Sequence, residues 1–168
     1  LSDNAIKYSL KKKEKVHVIN SVEAKWLNSK GFLPTKIEFY RKQKHIEDVF
    51  VVLHFNSPQH FACLHVTEST LVYYDSLKNN NRRPYSEYPD LSVFRDIIEI
   101  HEPKVWQAEA ECGCMVVLRY WQLFHSKRYT LKGKEARAQV LKYYNRDNNK
   151  GVKGTENCDE EQTKQLRS

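Results

Sequence analysis

The chain has 168 residues, of which 40% are apolar and 12% aromatic. That length and composition fit one globular domain with its own core and exclude a disordered or fibrous chain. No apolar run approaches the ~20 residues of a membrane-spanning helix, and a net charge of +7 favours acidic partners, whether acidic protein faces or nucleic acid.

The polar opening Leu1-Ser2-Asp3-Asn4 has no secretory signal pattern and no initiator Met, as expected of a fragment of a longer chain. Residues 1–13 read as a short helix that Ser2 or Asp3 can cap, with Ile6 and Leu10 one turn apart. Ser21 is placed to cap a second helix over Val22 to Ser29, with Ala24 and Leu27 on one face and Gly31 at its end. Lys-rich stretches follow each helix, and Lys11-Lys12-Lys13 reads as a solvated helix end, with a targeting signal as the alternative.

Three strands are expected next. Val49-Phe50-Val51-Val52-Leu53 is a continuous apolar run, the pattern of a strand buried on both faces. His60 to Val66 and Leu71 to Asp75 follow, joined as a hairpin by the polar Thr67-Glu68-Ser69-Thr70. Asn79 to Pro84 is a loop. Leu91, Phe94 and Ile98 have helical spacing over residues 91–99, and Val105-Trp106-Gln107 can form a short strand. The long apolar segment from Gly113 to Phe124 predicts a buried helix, and a last amphipathic helix covers residues 133–144. Beyond Asn145 the chain turns Asn-, Lys-, Glu- and Gln-rich, as a loose tail does.

The hairpin has chemical consequences. With its midpoint between Thr67 and Glu68, His60 falls directly across from Asp75, Cβ atoms ~4.5–5.5 Å apart on one face. A carboxylate there fixes the imidazole tautomer and stabilises its protonated form. A one-residue slip would leave only a surface His near a strand-end Asp.

Glu111-Cys112-Gly113 adds a thiol at the start of an apolar helix, where the dipole and exposed N–H groups favour a thiolate. The same N–H groups can hold an oxyanion, Gln107 can add a side-chain amide, and Gly113 lets a substrate backbone approach. The bland alternative is a packed thiol. Cys63 points away from His60 by strand parity and reads as core, Cys114 belongs to the apolar helix, and Cys158 lies in the tail. The four cysteines lack the regular spacing of a disulfide scaffold and of a common zinc motif, so reduced thiols, no metal and no cofactor are expected.

Gln59-His60-Phe61, Tyr73-Tyr74-Asp75-Ser76-Leu77 and Gln107-Ala108-Glu109-Ala110-Glu111-Cys112-Gly113 occur in this order. Together they resemble the Ulp/SENP family of ubiquitin-like-protein proteases in clan CE, which includes adenovirus-type proteases and bacterial effector deubiquitinases. Leu1-Ser2-Asp3-Asn4-Ala5-Ile6 and Val16-His17-Val18-Ile19-Asn20-Ser21, with Leu27 and Gly31, resemble the family's upstream stretches, so that residues 1–145 are covered and 146–168 are left as the tail. The chain departs from the family pattern in having Phe61 for the usual Trp and Glu111 for the usual Asp. Its spacing from Gln107 to Cys112 is also one residue shorter. Phe39 and Tyr40 stand near the place of a further Trp.

The resemblance implies an α+β, papain-like clan CE fold. A twisted mixed sheet is flanked by helices, with the nucleophile at the N-terminus of a central helix. It implies a catalytic His60, Asp75 and Cys112, with Gln107 on the oxyanion. It also implies a channel for a Gly-Gly tail walled by Phe61, Phe39 or Tyr40, and Gly113. The partners would be ubiquitin or a SUMO- or NEDD8-type modifier and its conjugates, met by a monomer without membrane or nucleic-acid binding. Its place would be the reducing interior of a cell, cytoplasm or nucleus, or a host cell for a pathogen effector. Three alternatives stay open: a clan CE acetyltransferase using the same triad, a basic nucleic-acid-binding module, and a degenerate protease that only binds its partner.

Overall fold

The computed structural model of the protein describes residues 2–56, 59–75, 84–101, 112–125, 135 and 137–143. Its elements in chain order are α1 (Asp3–Ser9), β1 (Val16–Ile19), α2 (Ser21–Ser29), α3 (Leu33–Arg41), β2 (Asp48–Asn56), β3 (Gln59–Val66), β4 (Leu71–Asp75), β5 (Ile97–His101) and α4 (Cys112–Phe124). Two 3₁₀ turns, Pro84–Ser86 and Pro89–Val93, lie between β4 and β5. The chain divides into two compact units, Lys12–Pro103 and Leu1–Lys11 with Lys104–Ser168. The fold class is α+β, as expected.

The first unit is a five-stranded mixed sheet in the order β1-β2-β3-β4-β5. β2, β3 and β4 are antiparallel neighbours, while β1 and β5 add in parallel at the edges. The apolar run in β2 is buried from Val49 to Leu53 without interruption, which explains its lack of alternation. On one face Val49, Val51, Leu53 and Phe55 join Ala62, Leu64 and Val66 of β3 and Leu71 and Tyr73 of β4. Ala24 and Leu27 of α2 and Leu33 and Ile37 of α3 close this core. Each fully buried Leu, Ile or Phe contributes about 1.5–3 kcal/mol of hydrophobic stabilisation. Phe50, Val52, Phe61 and Cys63, of opposite parity, are also buried.

Local chemistry sets the helix ends. Ser2 caps α1 as expected, its Oγ accepting from the Ala5 amide at 3.1 Å. The cap of α2 is Asn20, not Ser21: Asn20 Oδ1 accepts from the Glu23 amide at 3.0 Å and Ser21 is buried as the first helical residue. Gly31 takes φ +75° just past α2, the left-handed conformation that favours glycine. α3 was not anticipated. It has no side-chain cap, and its Pro34 sits in the first turn, where the missing N–H costs nothing.

β1 covers β2 only as far as Ile19↔Val51. Beyond it, the Tyr88 hydroxyl accepts from the His54 amide at 3.1 Å and donates to the His54 carbonyl at 2.9 Å, and Glu87 accepts from the Asn56 amide at 2.8 Å. Side chains from the loop thus replace the missing strand. The helix expected over 91–99 is replaced by the 3₁₀ turn and β5. Leu91 is buried, but Ile98 is half-exposed on a strand paired with Val72.

The second unit contains α1, α4 and helical residues at 135 and 137–143, where the last helix was expected. α4 is buried almost all round, from Gly113 through Leu118 and at Tyr120 and Trp121. Trp121 Nε1 donates to the Ser9 carbonyl at 2.8 Å and the Tyr120 hydroxyl to that of Lys11, tying α4 to α1. Burial pushes the Tyr120 hydroxyl up to about 12, so it remains a donor at ordinary pH. The strand expected at 105–107 and the tail at 146–168 lie outside the described residues.

Candidate active site

The β3–β4 ladder pairs Cys63 with Tyr74, Leu64 with Tyr73 and Val66 with Leu71. Continued by one step, this register sets Ala62 opposite Asp75 and puts His60 on the diagonal. The expected direct pairing of His60 with Asp75 is therefore corrected by two residues. The hairpin closes one step later than the midpoint between Thr67 and Glu68 implies. Thr67 N–H bonds the Thr70 carbonyl at 2.8 Å, and the two Thr hydroxyls lie 2.7 Å apart. Arg41 of α3 fixes this turn from outside, donating Nε to the Thr67 carbonyl at 2.7 Å and a second nitrogen to that of Glu68 at 3.0 Å.

A two-residue shift preserves the face, because side chains alternate with period two. His60 and Asp75 accordingly meet: His60 Nε2 lies 2.6 Å from Asp75 Oδ1. Both are deeply buried, at 3% and 0% exposure. An ionised carboxylate can only accept, so Nε2 carries the proton of this bond and Nδ1 is the basic nitrogen of the neutral ring. The other carboxylate oxygen, Oδ2, accepts from the Tyr73 hydroxyl at 2.9 Å. Tyr73 was absent from the candidate residues. Its signal was parity, since it stands two residues before Asp75 on the same face.

The setting is apolar. His60 stands across from Phe55 of β2, and Ala62, Leu64 and Tyr73 share its face. In such surroundings an uncompensated carboxylate is expensive, and hydrogen bonds to the charged form offset that cost. Cys63 lies on the opposite face and is buried, as strand parity predicted.

Cys112 is the first residue of α4 and is partly exposed, whereas Cys114 is buried at 1%. That contrast matters, because a reactive thiol needs both access and a favourable field. Gly113 is buried in the first turn of α4. Gln107 lies outside the described residues.

The aromatic candidates are spread over two elements. Phe61 is buried on β3 and stacked on His54 at a ring-centroid distance of 4.3 Å. Phe39 and Tyr40 sit on α3, edge to face at 5.3 Å. Tyr40 stacks on His17 of β1 at 3.6 Å, and Phe39 is half-exposed with Lys36 over its ring. Among the described residues no cluster of three or more His, Cys, Asp or Glu could hold a metal ion, and no helix is long and apolar enough to cross a membrane.

No protein-family model matches the chain, and no curated protein matches it. Solved structures do. A crystal structure of a de-sumoylating protease aligns over 97% of this chain and 75% of its own, at 14% identity and a TM-score of 0.43. The central domain of an uncharacterized protein from Legionella pneumophila aligns over 99% of this chain and 98% of its own, at 12% identity and a TM-score of 0.50. The likeness to the Legionella domain is one of fold.

Proposed function

We propose that the chain is a cysteine protease of the Ulp/SENP type that cleaves after the terminal Gly-Gly of a ubiquitin-like modifier. The observation that carries this reading is the buried His60–Asp75 hydrogen bond. A buried ionisable pair is weak as a stabilising device, because desolvation offsets the attraction. It is apt as a device that fixes one tautomer of a general base. The order of His, Asp, Gln and Cys along the chain and the partial exposure of Cys112 at the start of α4 support the same reading.

In this mechanism His60 Nδ1 takes the proton of the Cys112 thiol, and the thiolate attacks the carbonyl carbon of the terminal glycine. Asp75 holds the imidazolium. Backbone N–H groups around Cys112 and the Gln107 amide bind the oxyanion. The tetrahedral adduct collapses with expulsion of the amine, which takes the proton from His60. Water, deprotonated by His60, then attacks the thioester and releases the modifier and the thiol. Phe61 and Phe39 or Tyr40 are the aromatic walls, with Gly113 leaving room for a tail that has no side chains.

A panel of ubiquitin, SUMO and NEDD8 carrying electrophilic C-termini tests this reading. Wild-type protein should be trapped by at least one as a covalent adduct, and Cys112→Ala and His60→Ala by none. Failure of every probe with folded wild-type protein would overturn the assignment.

A further inference from the structure

We infer that Tyr73 is a positioning residue, whose hydroxyl locks the Asp75 carboxylate in the plane that presents Oδ1 to His60. The inference rests on the reading of His60 and Asp75 as catalytic, and adds a further residue that acts through Asp75.

Three observations carry it. Tyr73 and Asp75 are both completely buried, at 0% exposure, so water does not compete for their contact. The Tyr73 hydroxyl donates to Oδ2 at 2.9 Å while His60 Nε2 lies 2.6 Å from Oδ1, so the two groups meet different oxygens of the carboxylate. Rotation of the carboxylate about its terminal bond, a torsion that is intrinsically broad and roughly two-fold, would disturb both bonds at once. Finally, the Tyr73 ring is itself fixed. It belongs to the apolar core, its backbone pairs with Leu64 and Glu99, and its ring meets His101 edge-on at 6.0 Å. The donor therefore stands at a set point relative to β3 and β4, which the long diagonal between His60 and Asp75 requires. A direct cross-strand pair would hold its geometry by proximity; a diagonal pair depends on the carboxylate being aimed.

Tyr73→Phe tests this with little change of shape. The readout is the NMR signal of the His60 Nε2 proton, which needs no substrate and so separates this inference from the choice of reaction. In wild-type protein that proton should resonate far downfield and exchange slowly. In Tyr73→Phe it should broaden or vanish, and the ring should populate the tautomer protonated on Nδ1. With a modifier substrate that the wild type cleaves, kcat should fall roughly tenfold with KM unchanged, the scale of one lost hydrogen bond. In an Asp75→Asn background Tyr73→Phe should have no further effect on kcat. Tyr74→Phe, on the opposite face, should leave the His60 signal as it is. If Tyr73→Phe does not fold, 3-fluorotyrosine placed at position 73 keeps the shape and strengthens the donor, and the His60 proton should move. An unchanged His60 signal in either variant would overturn the inference, whatever the substrate.

Discussion

The imidazole of His60 reaches the carboxylate of Asp75 at 2.6 Å on a diagonal, because the β3–β4 register, which pairs Cys63 with Tyr74, sets Ala62 opposite Asp75 when continued by one step. The pair is buried, so its two members should respond differently to substitution. Asp75→Asn keeps the shape but can present an amide N–H where the ring needs an acceptor. Cleavage of a modifier substrate should fall by roughly two to four orders of magnitude, as loss of the tautomer-fixing carboxylate implies. His60→Ala leaves a buried carboxylate short of a partner and should cost about 3–5 kcal/mol in urea unfolding. Equal stability of wild type and His60→Ala would mean that Asp75 is not charged in the folded protein.

Cys112 and Cys114 stand two residues apart on α4 with different access. Intact mass measured after reaction with an electrophilic modifier probe should show one adduct on wild type and on Cys114→Ala, and none on Cys112→Ala. Cys114→Ala should instead unfold at about 1 kcal/mol lower stability, from the methylene-sized cavity left by its sulfur. An adduct that survives in Cys112→Ala would move the nucleophile elsewhere.

His17 supplies a pH dependence unconnected with catalysis. Burial and the nearby Lys36 ammonium hold its pKa below the usual 6.5, and its Nε2 is buried without a hydrogen-bond partner among the described residues. The unfolded chain therefore binds the His17 proton more readily than the folded one. Stability from this group is full above pH 6.5 and is lost as pH falls below it towards the folded value. His17→Phe, which keeps a ring against Tyr40, should flatten the stability profile on that acid side. The denaturation midpoint measured across pH 5–8 would reveal an unaltered slope if the inference were wrong.

Gly31 ends α2 at φ +75°, and a Cβ built there would come no closer than 3.8 Å to Asp90 Oδ2. Space is available, so any cost of Gly31→Ala comes from the backbone. About 1 kcal/mol is expected, the strain of a left-handed alanine. Gly31→Asn should recover part of it, because asparagine tolerates that conformation. Thermal unfolding of the two variants gives the comparison.

Much of this molecule is written in local pattern. The apolar run of β2, the His60 to Val66 strand, the Leu71 to Asp75 strand and the apolar helix beginning beside Cys112 follow from periodicity alone, because burial on both faces, or all round, demands continuous apolar residues. Period two also made the shared face of His60 and Asp75 safe, since an even shift in register leaves every side chain on its own side. Tertiary structure decided the rest. The register itself depends on how Thr67 and Thr70 close the turn and on Arg41, which arrives from a helix 26 residues earlier in the chain. Residues 91–99 carry helical spacing, yet from Ile97 the chain forms β5, since parallel pairing with β4 satisfies its backbone from a partner remote in sequence. Tyr73 became visible as a partner of Asp75 only once the strand was built. A hydroxyl aimed at a buried carboxylate is a matter of direction in space, and sequence spacing records the face on which a side chain lies but not the point to which it reaches.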